Sequence, residues 1–335
     1  MSYRPFSDRV FDLLLDRLSI PPVATGAVLS VALGALALWG TAAAGIVADV
    51  AAGLAPDIAV RAPVTLYIMV GYLPMAIYYL GVWTADHTNL VSRQFGLDLG
   101  TAKFPRRIAN AVGAAGVLTV YLLFLFRPDK PLLLFLPHEW TADFVLPLAG
   151  LIFMGWFYFR FMFLLVWFAT AISRSARHIQ SLDLLDLSAV KPFAQQGVRS
   201  SLLAIVSLSI SANLWLDPNS PTTATLTTLV LLVAAAVLAL FLPTWGIHLR
   251  LKAFKHAQLR QLRGAIAMRC DPRDRSLEDA QQLQADLALE QRYNQVSEWP
   301  FDAGSYGRVA LYVFLGLGSW IGAALVERLL ESFGP

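Results

Sequence analysis

Apolar residues run along this chain in long blocks rather than in strict alternation with polar ones. A membrane-spanning helix needs roughly 17–25 mainly apolar residues. Seven blocks reach that length, at about residues 23–48, 63–85, 108–126, 144–173, 200–216, 224–247 and 305–326. The fifth is the shortest. The fourth is the longest and would stretch about 43 Å as one helix. The pattern predicts an all-α fold: a polytopic transmembrane helix bundle of seven spans, with a cytoplasmic helical hairpin between spans six and seven. Four regions follow: an N-terminal amphipathic helix (1–22), spans one to six with their loops (23–247), the hairpin (248–303), and span seven with an outer C-terminus (304–335).

Phe6, Val10, Leu13, Leu14 and Leu18 recur at helical spacing in the first region. Ser7 can cap this helix, and Pro21-Pro22 end it. It is expected to lie in the membrane interface or to pack on the protein's own cytoplasmic face. Asp8, Asp12 and Asp16 interrupt the uncharged stretch a cleaved signal would need.

Span six runs without a breaker into Leu251, Phe254, Leu259, Leu262 and Ile266. Asp271-Pro272-Arg273-Asp274 predicts a turn. Ser276 with Asp279 opens a second helix, whose apolar face is Leu277, Ala280, Leu283 and Leu287. A unit of this size cannot fold on its own core. Its expected neighbour is the segment 181–198, rich in leucine and read as a short helix broken at Pro192.

Composition agrees with a bilayer. Of 335 residues, 57% are hydrophobic and 15% charged, with a mean hydropathy of +0.58. Soluble domains have about 45–50% apolar and about 25% charged residues. The net charge of +3 would hint at nucleic acid in a soluble protein. Here the bases sit in the loops, so no nucleic-acid partner is expected. With the N-terminus inside, 21 of the 26 Lys and Arg residues fall on the cytoplasmic side and four outside. That bias orients the chain N-in, and seven spans put the C-terminus out. The outer loops carry eight acids, from Asp49 to Glu331, and are mildly acidic. The single cysteine, Cys270, excludes an internal disulfide and suits a reducing side. The expected location is a multi-pass position in the cell membrane or a bacterial inner membrane.

Arg160, the remaining base, stands inside the fourth span. A centred Arg costs about 2.5–3.5 kcal/mol on insertion scales, so it faces the bundle interior or water. It reads as a gate or polar-ligand site, or as a structural Arg satisfied by carbonyls, hydroxyls and aromatic faces. Trp156 at i−4 and Phe163 at i+3 are its expected cation–π partners. Span five has a polar face with Ser200, Ser207, Ser211 and Asn213, suited to a water-lined path or to interhelical hydrogen bonds. Gly26, Ser30 and Gly34 in span one, and Gly318 and Gly322 in span seven, are small residues that let helices approach. Pro74 and Pro243 are expected to kink their helices.

No catalytic or metal-binding motif is present in the sequence. The protein is therefore not expected to be an enzyme or to hold a cofactor or metal. Asp86-His87 reads as a membrane-edge pair. Asp183 and Asp186, spaced by three, could share a helix face. The layout, N-in and C-out with helices below spans six and seven, resembles that of insect chemoreceptor-type channels. The resemblance is of architecture alone and carries no residue across. Three functions follow. The first is a homo-oligomeric ion channel or pore, with Arg160, Ser207, Ser211, Asn213 and Trp156 as pore or ligand candidates. The second is a non-catalytic scaffold or sensor subunit that binds a cytoplasmic protein through residues 248–303. The third is a small-solute transporter. The expected partners are the lipid bilayer, further copies of the chain and that cytoplasmic protein.

Overall fold

The computed structural model describes residues 22–53, 58–96, 106–125, 142–180, 182–212, 222–269, 277–301, 307, 310 and 311. Among them there is no strand. The helices are α1 (Pro22–Ala43), α2 (Ile46–Ala51), α3 (Ile58–Phe95), α4 (Arg106–Leu125), α5 (Ala142–Ser175), α6 (Lys191–Ala212), α7 (Thr222–Arg269) and α8 (Leu277–Gln295). Short 3₁₀ turns at Ala176–His178 and Leu187–Val190 join α5 to α6.

Four of these helices are long and apolar enough to cross a membrane, over Ala24–Ala43, Ala59–Phe95, Pro147–His178 and Ala234–Met268. The sequence reading of seven spans is thus reduced to four such helices among the described residues. Block 108–126 is α4. Residues 200–212 of the fifth block form the C-terminal part of α6, whose first turns carry Lys191, Gln195, Gln196 and Arg199, so its apolar stretch is short. Apart from residues 307, 310 and 311, block 305–326, with Gly318 and Gly322, lies outside the described residues, as do the N-terminal amphipathic segment, Asn213 and the turn before α8.

Two boundaries differ from the sequence reading. The block 63–85 underestimates α3, which continues through Asp86, His87 and Asn89 to Phe95. Polar side chains do not break backbone hydrogen bonds, so a helix outruns its apolar stretch. It stops at Gly96, whose φ of +63° closes the helix in the left-handed region. Pro192 does not break a helix. It sits in the first turn of α6, where the missing N–H costs nothing. Pro74 and Pro243 lie inside α3 and α7, which are each assigned as single helices.

Small residues set the packing. On α1, a Cβ on Gly26 would meet Met75 of α3 at 2.6 Å, and one on Gly34 would meet Ile68 at 2.8 Å. Between them, Gly71 of α3 faces the backbone of Ser30. Rising numbers on α1 meet falling numbers on α3, so the two run antiparallel. Gly113 of α4 lies against Trp156 and Arg160 of α5, and Gly116 against Gly155, again antiparallel. Gly197 of α6 meets Leu240 of α7, while Ser201 donates from its Oγ to the Ala236 carbonyl at 3.2 Å. Gly246 of α7 abuts the Ser173 carbonyl of α5. The central core joins α3, α5, α6 and α7 through Leu73, Ile77, Phe161, Leu164, Phe168, Ala204 and Ala239.

These directions bring one set of helix ends together. The end of α3, the end of α5, the start of α6 and the middle of α7 close around Val91, Ile172, Ile179, Phe193, Ile247 and Leu251. Leu184 and Val190 are buried in the same cluster, with Leu182, Leu187, Phe254 and Tyr293 packed against it. The 181–198 segment is therefore the neighbour of α7 and α8, although Leu185 stays exposed. Arg93, Arg106, Arg107, Arg174, Arg177, Lys191 and Arg250 all gather at this end. At the opposite end, Arg61 is the one base among the described residues.

From the basic end α7 continues outward. Its 48 residues amount to about 72 Å of helix, against a hydrocarbon core of about 30 Å. α8 lies alongside this extension.

Candidate functional site

Buried polar side chains mark three seams. The first is between α4 and α5. Arg160 is 6% exposed, with its guanidinium carbon 5.3 Å from the Trp156 ring centroid, the i−4 partner the sequence indicates. Its methylene stem lies over Gly113, where a Cβ would come within 2.9 Å of Arg160 Cδ and 3.1 Å of Trp156 Cδ2. Gly113, Gly116 and Gly155 were not singled out in the sequence. The spacing Gly113-Ala-Ala-Gly116 was the available signal, since small residues mark close helix approach.

The second seam is between α5 and α6. Ser211 is buried and donates from its Oγ to the carbonyls of Ser207 (2.9 Å) and Leu208 (3.1 Å). Its side chain also pairs with Tyr158 of α5. Ser207 is fully buried, and its hydroxyl has no partner among the described residues. Tyr158 and Arg160 are two residues apart, about 200° around the helix. Arg160 and Trp156 therefore lie toward α4, whereas Ser211 meets the opposite side of α5. Within a chain, Arg160 and Trp156 thus lie on a different side of α5 from Ser211.

The third seam, between α3 and α6, was not anticipated. The Tyr72 hydroxyl donates to the Leu203 carbonyl at 2.8 Å. The Arg199 guanidinium lies 5.3 Å from the Trp83 ring centroid. His87 is 6% exposed, and its ring meets Phe193 edge-on at 4.6 Å. Gln196 is 1% exposed. Neither ring nitrogen of His87 and neither amide atom of Gln196 makes a hydrogen bond of good geometry. The sequence reads His87 as half of a membrane-edge pair, and the structure adds that its ring is buried against Phe193 of α6. Because α3 runs on to Phe95, this turn is covered by α6.

Beyond the bundle, cationic side chains pin α7 and α8. Arg250 donates to the Ile179 carbonyl at 2.6 Å, tying α7 to the end of α5. Lys255 donates to the carbonyls of Asn294 (2.9 Å) and Val296 (2.8 Å), capping the C-terminus of α8. Arg263 pairs with Glu290 at 2.7 Å. The chain leaving α8 is held by Trp299, which stacks on His248 at 4.0 Å while His248 Nδ1 donates to the Glu298 carbonyl at 2.9 Å.

Asp183 and Asp186 do not form a pair on one helix face. Each accepts a backbone N–H two residues on, from Leu185 (2.8 Å) and Ser188 (2.9 Å). The Ser188 N–H holds the Asp186 carboxyl below its usual range. No group of three or more metal-ligating side chains occurs among the described residues. Two open clefts lie at the basic end. One, of about 530 Å³, is lined by Asp86, Asn89, Leu90, Arg93 and Gln94 of α3. The other, of about 490 Å³, is lined by Leu184, Leu185, Leu187, Arg292, Gln295 and Val296. The chain matches no protein-family model, no curated protein and no solved structure.

Proposed function

We propose that this chain is an integral membrane protein that acts as a non-catalytic scaffold subunit. The bundle anchors it, and the α7–α8 projection presents a binding platform on the cytoplasmic side. The membrane assignment draws on α1, which buries its glycine stripe and exposes Val28, Val31, Leu36 and Trp39, the reverse of a helix in water. In this reading α4 and α6 also cross the membrane, and the basic end faces the cytoplasm.

The observation that carries the scaffold reading is the continuity of α7 from Thr222 to Arg269, together with the Lys255 and Arg263 contacts that hold α8 on it. A rigid helix pair outside the bilayer, rooted in a buried apolar cluster, is suited to holding a partner at a fixed height. A homo-oligomeric pore is the second reading. It draws on Ser207, His87 and Gln196, whose polar atoms have no well-formed partner among the described residues.

Site-specific photo-crosslinking in cells separates the two. A photoreactive residue at exposed Met268 or Leu287 should capture one discrete protein, while one at lipid-facing Leu118 should not. No adduct from the projection, with discrete ion-selective currents from the purified protein in a planar bilayer, would overturn the scaffold reading in favour of the pore.

A further inference from the structure

The turn of α6 that carries Phe193 and Gln196 faces the turn of α3 that carries His87. On a helix, a long side chain leans back toward the preceding turn. The Gln196 amide therefore leans toward Phe193, whose ring meets the His87 imidazole. The Pro192 carbonyl lies beside that imidazole. Even with one ring N–H directed at this carbonyl, the other ring nitrogen and both amide atoms still lack partners.

Buried polar atoms are rarely left unsatisfied. An orphan keeps its desolvation cost uncompensated, and more than about 90% of such groups have a partner, from protein or from ordered water. A neutral imidazole offers one donor and one acceptor, and a carboxamide offers both. The guest these atoms fit is therefore a small neutral molecule able to donate and accept at once. A buried water typically makes 2–4 bonds to such groups. Access lies close by. Leu90 and Gln94, which line the 530 Å³ cleft, follow His87 by three and seven residues and so share its flank of α3.

We infer that His87 and Gln196 form a polar binding site between α3 and α6 that holds water, exchanged through the cleft at Leu90 and Gln94. Phe193 forms its apolar wall. The site is separate from the α4–α5 seam of Arg160, and it does not depend on the scaffold reading.

Radiolytic labelling of the full-length protein in nanodiscs, in ¹⁸O water, tests this directly. Hydroxyl radicals made from bound water mark the side chains beside it. Phe193 should carry the ¹⁸O label severalfold above Phe168, which is equally buried in the central core. Tyr293 on the projection serves as the wet control. Gln196→Leu, and His87→Leu with Gln196→Leu, should bring Phe193 down to the Phe168 level. Native Phe193 labelled no more than Phe168 would overturn the site, as would a Phe193 label unchanged in the Gln196→Leu protein.

Discussion

Arg160 fills the space that the missing side chain of Gly113 leaves on α4. The arginine stem and the Trp156 ring both press on that backbone. The contact implies a graded response to methyl groups along the seam. Gly116→Ala points its Cβ at the Gly155 carbonyl, part of a rigid backbone, and should destabilise by about 1–3 kcal/mol. Gly113→Ala meets a flexible arginine chain instead and should cost less. Gly264→Ala on α7 meets nothing within 4 Å and should stabilise by up to about 1 kcal/mol. Thermal melting of the three purified variants in mild detergent checks this order. Equal loss at Gly113 and Gly264 would remove the case for a tight α4–α5 seam.

Lys255 predicts how α8 is held. Its ammonium bonds two carbonyls at the end of α8, where a cation also suits the helix dipole. Lys255→Met keeps the stem and removes the charge. It should cost on the order of 1 kcal/mol, at the low end for charge-assisted bonds because the group is partly exposed. Arg263→Ala breaks an exposed pair and should cost less. Hydrogen exchange over residues 288–296 should quicken clearly in Lys255→Met and only slightly in Arg263→Ala. The reverse order would show that the ion pair, not the cap, fastens α8.

How far these contacts were legible depends on what each needs. Helices were legible because long apolar blocks are local information. Their ends were not, because α3 keeps its hydrogen bonds past Thr84 while its residues turn polar. Pro192 was ambiguous for a related reason: the same ring stops one helix or starts the next. Trp156 was readable as a partner of Arg160 because both lie on one helix, four residues apart. Gly113 was not, since its role exists only once α4 is laid on α5. The Arg160 and Ser211 seams were likewise indistinguishable until α5 was seen to separate them. His87 and Phe193, 106 residues apart, meet only through the antiparallel packing of α3 on α6.

Asp186 carries the pH dependence of the turn that begins α6. Its carboxylate accepts the Ser188 N–H, and Ser188 and Lys191 both favour the charged form. The folded group therefore titrates below the ordinary value of 3.8. A depressed carboxyl stabilises the fold above its unfolded value, and that contribution is lost as the pH falls through the folded one. The Ser188 amide resonance should be unchanged from neutral pH down to about 4 and should move only below that. Asp186→Asn should abolish the transition. A midpoint above 3.8 would contradict the hydrogen bond as its cause.

The gathering of bases at one end predicts orientation. Lys and Arg are retained on the cytoplasmic side of short loops. The ends of α3 and α5 and the starts of α4 and α6 all place them beside the root of α7. In a Cys270→Ser background, Asp49→Cys sits on α2 at the other end of α1, and His256→Cys sits on the projection. A membrane-impermeant maleimide added to intact cells should label Asp49→Cys at once, and His256→Cys only after permeabilisation. The opposite pattern would invert the bundle and put the projection outside the cell. Labelling of both on intact cells would mean that α1 does not cross the membrane, which would withdraw the assignment drawn from its exposed Val28, Val31 and Trp39.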